Sequence, residues 1–253
     1  MSSQPLVSII TPVHNGERFL PDIYQSLLNQ TYRQFEWIIV NDCSKDNSAQ
    51  IIQQYIAEGK LTIRYVNNPQ NLGAALSRNA GLDVAMGKYI AFLDVDDTWQ
   101  AEKLALQVAQ MEQQNWQLSY MDYNQVDLQG RFLKSILPPE KCARRDILKT
   151  NHLGNLTCLV RADVVKDLRF IKQGAEDYIF WLAVLDKIDY AYKVKTETPL
   201  CNYRISANSL SGNKFKSATW QWAVYRNHLK LNVFTAFYYF CHYAVYGVIK
   251  HKR

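Results

Sequence analysis

Four apolar runs, each followed by polar residues and then a helical pattern, constrain this chain more than any other feature. Residues 6–13 (LVSIITPV) read as a buried strand, and 16–30 as a helix with Phe19, Ile23, Leu27 and Leu28 along one side. The pattern repeats: a strand at 35–40, a helix capped by Asp46 and running to about 58, a strand at 61–66, a helix at 73–86, a strand at 89–93 and a helix at 101–115. Strands and helices alternating through short links predict a mostly parallel sheet flanked by helices. Each strand ends in polar residues: Pro12-Val13-His14-Asn15, Asn41-Asp42, Asn67-Asn68, and the run from Asp94 to Asp97. Open α/β sheets bind ligands beyond such carboxyl ends, and four of them on one edge make a nucleotide-sized cleft.

The fourth strand is the most informative. Tyr89-Ile90-Ala91-Phe92-Leu93 is apolar throughout, so it belongs in the middle of a sheet, and it runs directly into Asp94, Asp96 and Asp97. Carboxylates this close repel one another and tolerate the crowding best around a cation; Mg²⁺ or Mn²⁺ with a phosphate ligand is the usual occupant. Asp94-Val95-Asp96-Asp97-Thr98 also fits the aspartate-phosphatase pattern DxDx(T/V), with Asp94 as nucleophile. That pattern normally follows the first strand of its domain. Here three strand–helix units precede it, which favours the metal and nucleotide reading. A surface turn capping the next helix would not need three acids.

Three other positions carry chemistry. Asp46 is the better helix cap, which frees Asp42 to accept a hydrogen bond from a base or ribose. A carboxylate that accepts the imino N–H of uracil would select it over cytosine. Arg78, on the helix after the third strand, could reach a base or a phosphate oxygen. Gly174-Ala175-Glu176-Asp177 opens a helix running to about 187, at whose start the helix dipole favours acids such as Glu176 and Asp177. Spacing alone leaves a plain helix start and a catalytic pair both open there. Elsewhere in the second half, 117–127 and 131–136 read as a hairpin around Gly130, and 157–160, 190–194 and 200–203 as short strands.

Composition narrows the class. Five scattered cysteines with no CxxC pair argue for reduced thiols rather than a disulfide framework or a zinc site. The first five residues are short and polar and lack the apolar core of a signal peptide. The net charge of +6 is uneven: residues 214–253 hold seven of the 29 basic residues and none of the 23 acidic ones, leaving 1–213 at −1. A nucleic-acid binder would spread basic residues over its main domain, so no nucleic-acid partner is expected. From about 217 the chain reads as helical and aromatic. Residues 233–249 hold no Lys, Arg, Asp or Glu and, at 17 residues, sit at the lower limit for crossing a bilayer. Aromatic richness with flanking Lys and Arg suits an interfacial helix; a helix packed on the body is the alternative.

The run Pro12-Val13-His14-Asn15, with Asp42, Asn71-x-Gly73, Arg78-Asn79-x-Gly81 and Phe92-Leu93-Asp94-x-Asp96-Asp97-x-Trp99, resembles the family 2 glycosyltransferases of the GT-A fold. Glu176-Asp177, Tyr203-Arg204 and Asn208-Ser209-Leu210-Ser211 continue it. The second half, with Trp220-Gln221-Trp222-x-x-Tyr225-Arg226, is most similar to bacterial enzymes of capsule, O-antigen and teichuronic-acid assembly. The resemblance implies a nucleotide-binding half at 1–115, an acceptor half at 116–213 and a C-terminal helical tail at 214–253. It implies a nucleotide-sugar donor, most often a UDP-sugar, with Mg²⁺ or Mn²⁺. Asp94 would lie near the ribose and Asp96 on the metal, the two together forming the metal and diphosphate site, while Asp97 has no family role. Pro12, His14, Asn15, Asp42 and Arg78 would hold the nucleotide. His14 stands where many members have Tyr, and Asn41 where Asp is common. Asp177 would be the base of an inverting transfer, with Glu176 positioning the acceptor or the base. The acceptor implied is a lipid-linked oligosaccharide, with the enzyme cytoplasmic and peripheral on the inner face of the cytoplasmic membrane. A non-catalytic partner subunit of the same fold is a further alternative.

Overall fold

β1 (Val7–Val13) and β2 (Phe35–Asn41) are buried along their whole length, as their unbroken apolar composition requires of central strands. The computed structural model describes residues 4–205 and 214–252, so Asn208-Ser209-Leu210-Ser211 lies outside the described residues. β1 pairs in parallel with β2 and with β4 (Tyr89–Phe92), and β2 in parallel with β3 (Ile63–Asn67). Three helices make the crossovers: α1 (Leu20–Leu28), α2 (Ser48–Glu58) and α3 (Ala74–Val84). The two faces of these strands feed two cores. Ile10, Ile38, Val40, Ile90 and Phe92 point to one, and Ile9, Val13, Trp37, Ile39, Ala91 and Leu93 to the other, which is the period-two alternation of a strand.

The parallel expectation holds for β3-β2-β1-β4, beyond which antiparallel strands join the sheet. The central sheet has eight strands in the order β3-β2-β1-β4-β10-β6-β11-β9. β10 (Leu159–Arg161) enters antiparallel to both β4 and β6 (Leu118–Tyr120); β11 (Ala191–Lys193) runs parallel to β6, and β9 (Lys141–Cys142) antiparallel to β11. A second sheet, β5-β12-β7-β8, is built from β5 (Thr98–Trp99), β7 (Tyr123–Val126), β8 (Phe132–Ile136) and β12 (Cys201–Arg204). β7 and β8 form the anticipated hairpin, but 118–120 does not belong to it. Between β5 and β6 lies α4 (Lys103–Gln114); α5 (Arg144–Ile147) and α6 (Ala162–Val165) are short, and α7 (Glu176–Leu185) starts with the two acids. At the C-terminus α8 (Lys214–Ala223), a π-helical turn (Val224–His228) and α9 (Val233–Lys252) place Val224, Tyr225 and Ala236 in the same core as Phe92 and Phe180.

Two packing details set the geometry of the cleft. A Cβ on Gly81 of α3 would stand 2.4 Å from Ile10 Cγ2, so glycine lets α3 lie directly on β1. Gly81→Ala is expected to destabilise by about 1–3 kcal/mol through overpacking; an unchanged urea midpoint would show that the contact gives way. The second detail is Lys103, fully buried, with its ammonium 3.6 Å from the centre of the Trp99 ring and no hydrogen bond among the described residues. Burial lowers its pKa from 10.5 to about 8. Between those values the unfolded chain binds more protons, so this group makes stability rise with pH. Wild type should therefore gain roughly 2 kcal/mol over Lys103→Met between pH 7.5 and 9.5, a difference in which the buried thiols and tyrosines cancel. Denaturant titrations of both proteins at the two pH values read it; a constant gap would mean that Lys103 keeps an ordinary pKa.

Candidate active site

The carboxyl ends of β1 to β4 are stitched to one another before any ligand is considered. Asp42 N donates to Val13 O (2.7 Å), Asn68 N to Asn41 O (2.9 Å) and Leu93 N to Ile10 O (3.0 Å). Asn41 Nδ2 donates to Asn67 Oδ1 (2.8 Å). After β1 the chain turns through Asn15, whose φ is 51°. Asn15 Oδ1 accepts from Lys45 N (2.7 Å), and Gly16 N donates to Ser48 Oγ (2.9 Å). His14 Nδ1 donates to the Asp42 carbonyl (2.8 Å); the carbonyl can only accept, so this fixes the tautomer. Nε2 faces Asn15 Nδ2 at 3.2 Å, so both ring nitrogens of this exposed residue are held. Asp46, anticipated as the cap of α2, precedes the N-cap residue Asn47 and accepts from Ser48 N (3.0 Å) and Glu17 N (3.0 Å).

Two nucleotide expectations change. Pro12 is a buried residue of β1, paired with Val40, and lies before the loop rather than in it. Asp42 is 2% exposed. Its Oδ1 accepts from Asn68 Nδ2 and Leu72 N, and its Oδ2 from Gly73 N, each at 2.8 Å. Burial would raise the carboxyl, but these donors, with the neighbouring Ser77 hydroxyl, outweigh it and hold the carboxyl below its usual range. A carboxylate has about four acceptor positions, and three of those on Asp42 are filled from within the protein. It fastens the loop from 68 to 73 to the start of α3.

Arg78 is the hub of the site. It is 5% exposed, its Nη2 lies 2.6 Å from Asp94 Oδ1 and its Nη1 3.2 Å from Glu176 Oε1. Its guanidinium stands 5.4 Å from the Phe170 ring centre. The sequence suggested that Arg78 faces the nucleotide; the structure shows it spanning the strand-end acids and the start of α7, 98 residues away. Burial drives the carboxyls of Glu176 and Asp177 upward, and Arg78 pulls both back. Beside it, Asn79 Nδ2 donates to Phe170 O and Asn79 Oδ1 accepts from Phe170 N, both at 2.8 Å, and Asp83 pairs with Arg169 at 2.7 Å. One stretch of α3 thus carries the segment leading into Glu176. Asn79 was visible in the sequence only as a member of a motif, without a task.

The three strand-end acids divide their work. Asp94 pairs with Arg78. Asp96 is partly buried, and burial followed by repulsion from Asp94 lifts its pKa to about 6. Asp97, which the sequence left without a role, is 2% exposed and accepts the backbone N–H of Arg204 at 2.9 Å. It ties the acidic turn to β12 of the second sheet. Arg204 in turn pairs with Asp22 of α1 at 2.8 Å and stands 5.1 Å from the Phe19 ring centre. Among the described residues no three His, Cys, Asp or Glu side chains form a closed metal cage. Two crowded carboxylates, one with a raised pKa, fit a divalent cation that takes its other ligands from phosphates and water.

The chain's relatives give its family. Residues 8–169 match the family model described as Glycosyl transferase family 2, and the chain belongs to that family. It is 36% identical to an uncharacterized glycosyltransferase of Haemophilus influenzae over 99% of this chain and 100% of that one. It is 35% identical to the putative teichuronic acid biosynthesis glycosyltransferase TuaG of Bacillus subtilis over 98% of each chain. It is also 33% identical to the Escherichia coli UDP-Glc:alpha-D-GlcNAc-diphosphoundecaprenol beta-1,3-glucosyltransferase WfgD, over 97% of this chain and 95% of that one. The GT-A fold is shared with S. aureus TarS in complex with UDP-GlcNAc (TM-score 0.71, 21% identity, 87% of this chain and 66% of that chain). It is shared too with the mannosyltransferase PcManGT of Pyrobaculum calidifontis in complex with GDP-Man and Mn²⁺ (TM-score 0.69, 15% identity, 90% and 65%). Membership of this family leaves the phosphatase reading of Asp94 without support.

Proposed function

We propose that this glycosyltransferase is an inverting, metal-dependent enzyme. It moves a hexosyl or N-acetylhexosaminyl group from a UDP-sugar to a hydroxyl of a lipid-linked oligosaccharide, at the inner face of the cytoplasmic membrane, in surface-polysaccharide synthesis. One observation carries this reading: Arg78 joins the strand-end acids of the donor half to Glu176 at the head of α7. Donor anchor and candidate base therefore share one cleft. The names of the relatives, with UDP-glucose and a diphosphoundecaprenol acceptor among them, support the substrate classes.

In this reading Asp94 and Asp96 hold Mg²⁺ or Mn²⁺, which when bound neutralises charge on the departing diphosphate. The exposed ring of His14 stacks on the base, and the 13–16 loop frames the nucleotide. Asp177 accepts the proton of the acceptor hydroxyl as that oxygen bonds to the anomeric carbon and the bond from that carbon to the diphosphate breaks. Partial burial raises the Asp177 carboxyl, which makes it a stronger base than a solvated aspartate. Glu176, fixed by Arg78, orients the acceptor side. Inversion follows from one displacement with no covalent intermediate.

Calorimetry with UDP and Mn²⁺ tests the donor site. Asp96→Ala is expected to weaken metal-dependent UDP binding by about 100-fold or more, on the scale of losing one directly bound metal ligand. UDP binding that survives both EDTA and this substitution would remove the metal assignment.

A further inference from the structure

α9 has two unlike faces. Ala236 is fully buried, and Tyr239 and Phe240 pack on the core. The opposite face carries Val233, Phe234, Phe237, Tyr238 and Val245, all exposed, with Phe234 at 87% and Phe237 at 61%. Their spacing follows the helical repeat, so they form one stripe. Exposed phenylalanines in a row mark an interaction surface rather than scattered surface residues. Three observations point to a lipid surface as the occupant. Residues 214–253 hold seven basic and no acidic residues, matching the anionic face of a bilayer. Tyr238 and Tyr246 are exposed on the same helix, and amphipathic rings of this kind suit the depth of lipid headgroups. No helix among the described residues is long and apolar enough to cross a membrane, so the helix would lie on it.

The inner face leads to the catalytic segment. Phe240 meets Trp222 of α8 edge-on, with ring centres 5.5 Å apart. Two residues earlier, Trp220 covers Gly174: a Cβ placed there would fall 2.3 Å from an indole carbon. Gly174 is two residues before Glu176 and three before Asp177. Tyr225 Oη donates to Leu148 O at 2.5 Å, and Tyr178 of α7 lies in the same buried cluster as Tyr225. The route from α9 thus runs through α8 to the turn at Gly174, directly before α7.

We propose that the exposed face of α9 docks on an anionic bilayer, and that Trp220, as a positioning residue, transmits this docking to the segment bearing Glu176 and Asp177. The acceptor-bearing surface thereby orders the catalytic segment. This rests on the lipid-linked acceptor reading, yet its test uses neither donor nor acceptor, so the two can fail separately.

The full chain is floated with vesicles of phosphatidylglycerol and phosphatidylethanolamine, and with phosphatidylcholine alone, while amide exchange is followed in peptides covering 171–180. Wild type is expected to float with the anionic vesicles, less so at high salt, and exchange in 171–180 to slow at least fivefold on binding. Phe234→Ser/Phe237→Ser/Val245→Ser, all at exposed positions, should lower partitioning at least tenfold. Trp220→Ala should still float but lose the slowing. Three results overturn the proposal: the triple variant floating like wild type, a soluble dimer that protects the α9 face in place of lipid, or exchange in 171–180 indifferent to vesicles. The wild-type comparison decides the coupling even if Trp220→Ala folds poorly.

Discussion

Asp177→Asn is expected to lower kcat by about 10²–10⁴-fold, the range for removing a positioned general base, with UDP and Mn²⁺ binding within a few-fold of wild type. Asparagine keeps the shape of the side chain and cannot take the proton. The ion pairs that organise the cleft do not run through Asp177: Arg78 bonds Asp94 and Glu176. The donor half should therefore be left standing. Initial rates with the nucleotide-sugar that wild type turns over, and calorimetry of UDP with Mn²⁺, separate the outcomes. Turnover within about fivefold of wild type would take the base role from Asp177, because a misassigned base costs far less than the usual range. Unchanged polysaccharide production in cells carrying this variant would instead favour a non-catalytic partner subunit. Loss of both turnover and UDP binding would show that Asp177 supports the donor site itself.

The nucleotide half was legible because its information is local. Each strand is an apolar run with its own polar end, and each helix has a periodic face, so 6–115 reads in order. The acidic turn stood out for the same reason: Asp94, Asp96 and Asp97 follow an entirely apolar strand. What failed depended on contacts between distant segments. Asp42 looks free in sequence because its donors, Asn68, Leu72 and Gly73, come 26 to 31 residues later. Asp97 could not be placed because its partner is a backbone N–H 107 residues away, and backbone groups leave no trace in side-chain identity. The antiparallel entry of β10 beside β4 was hidden too. Three-residue strands such as β10 and β11 are too short to show a period or direction. Gly174 looked like an ordinary helix-start residue, and only Trp220, far along the chain, explains why a side chain would not fit there.

Arg78→Met should separate metal affinity from catalysis. Arg78 is nearly inaccessible and lies between Asp94, Glu176 and Asp177. Methionine fills similar space without charge. Asp94 and Glu176 keep 32% and 26% side-chain exposure, so water can solvate them once the cation is gone. The stability change should accordingly stay near 1–2 kcal/mol, below the 3–5 kcal/mol of a fully buried broken pair. Asp94, freed of its internal counter-ion, becomes a better metal ligand, and donor-free Mn²⁺ affinity is expected to rise by roughly tenfold, about 1.4 kcal/mol. Catalysis should move the other way, with kcat falling by about 100-fold or more as Glu176 loses its anchor, the order of cost seen when positioning by remote groups is lost. The pH profile gives an independent reading. Arg78 pulls the Asp177 carboxyl down against burial. Without it the base stays protonated to higher pH, and the acidic limb of kcat/KM against pH should shift upward. Arg78→Lys keeps the charge but not the two-pronged reach. It should hold the acidic limb near its wild-type position while still losing kcat. Mn²⁺ affinity that is unchanged or weaker in Arg78→Met would mean that Arg78 does not compete with the metal for Asp94. An acidic limb that stays in place would mean that the base is not within its field.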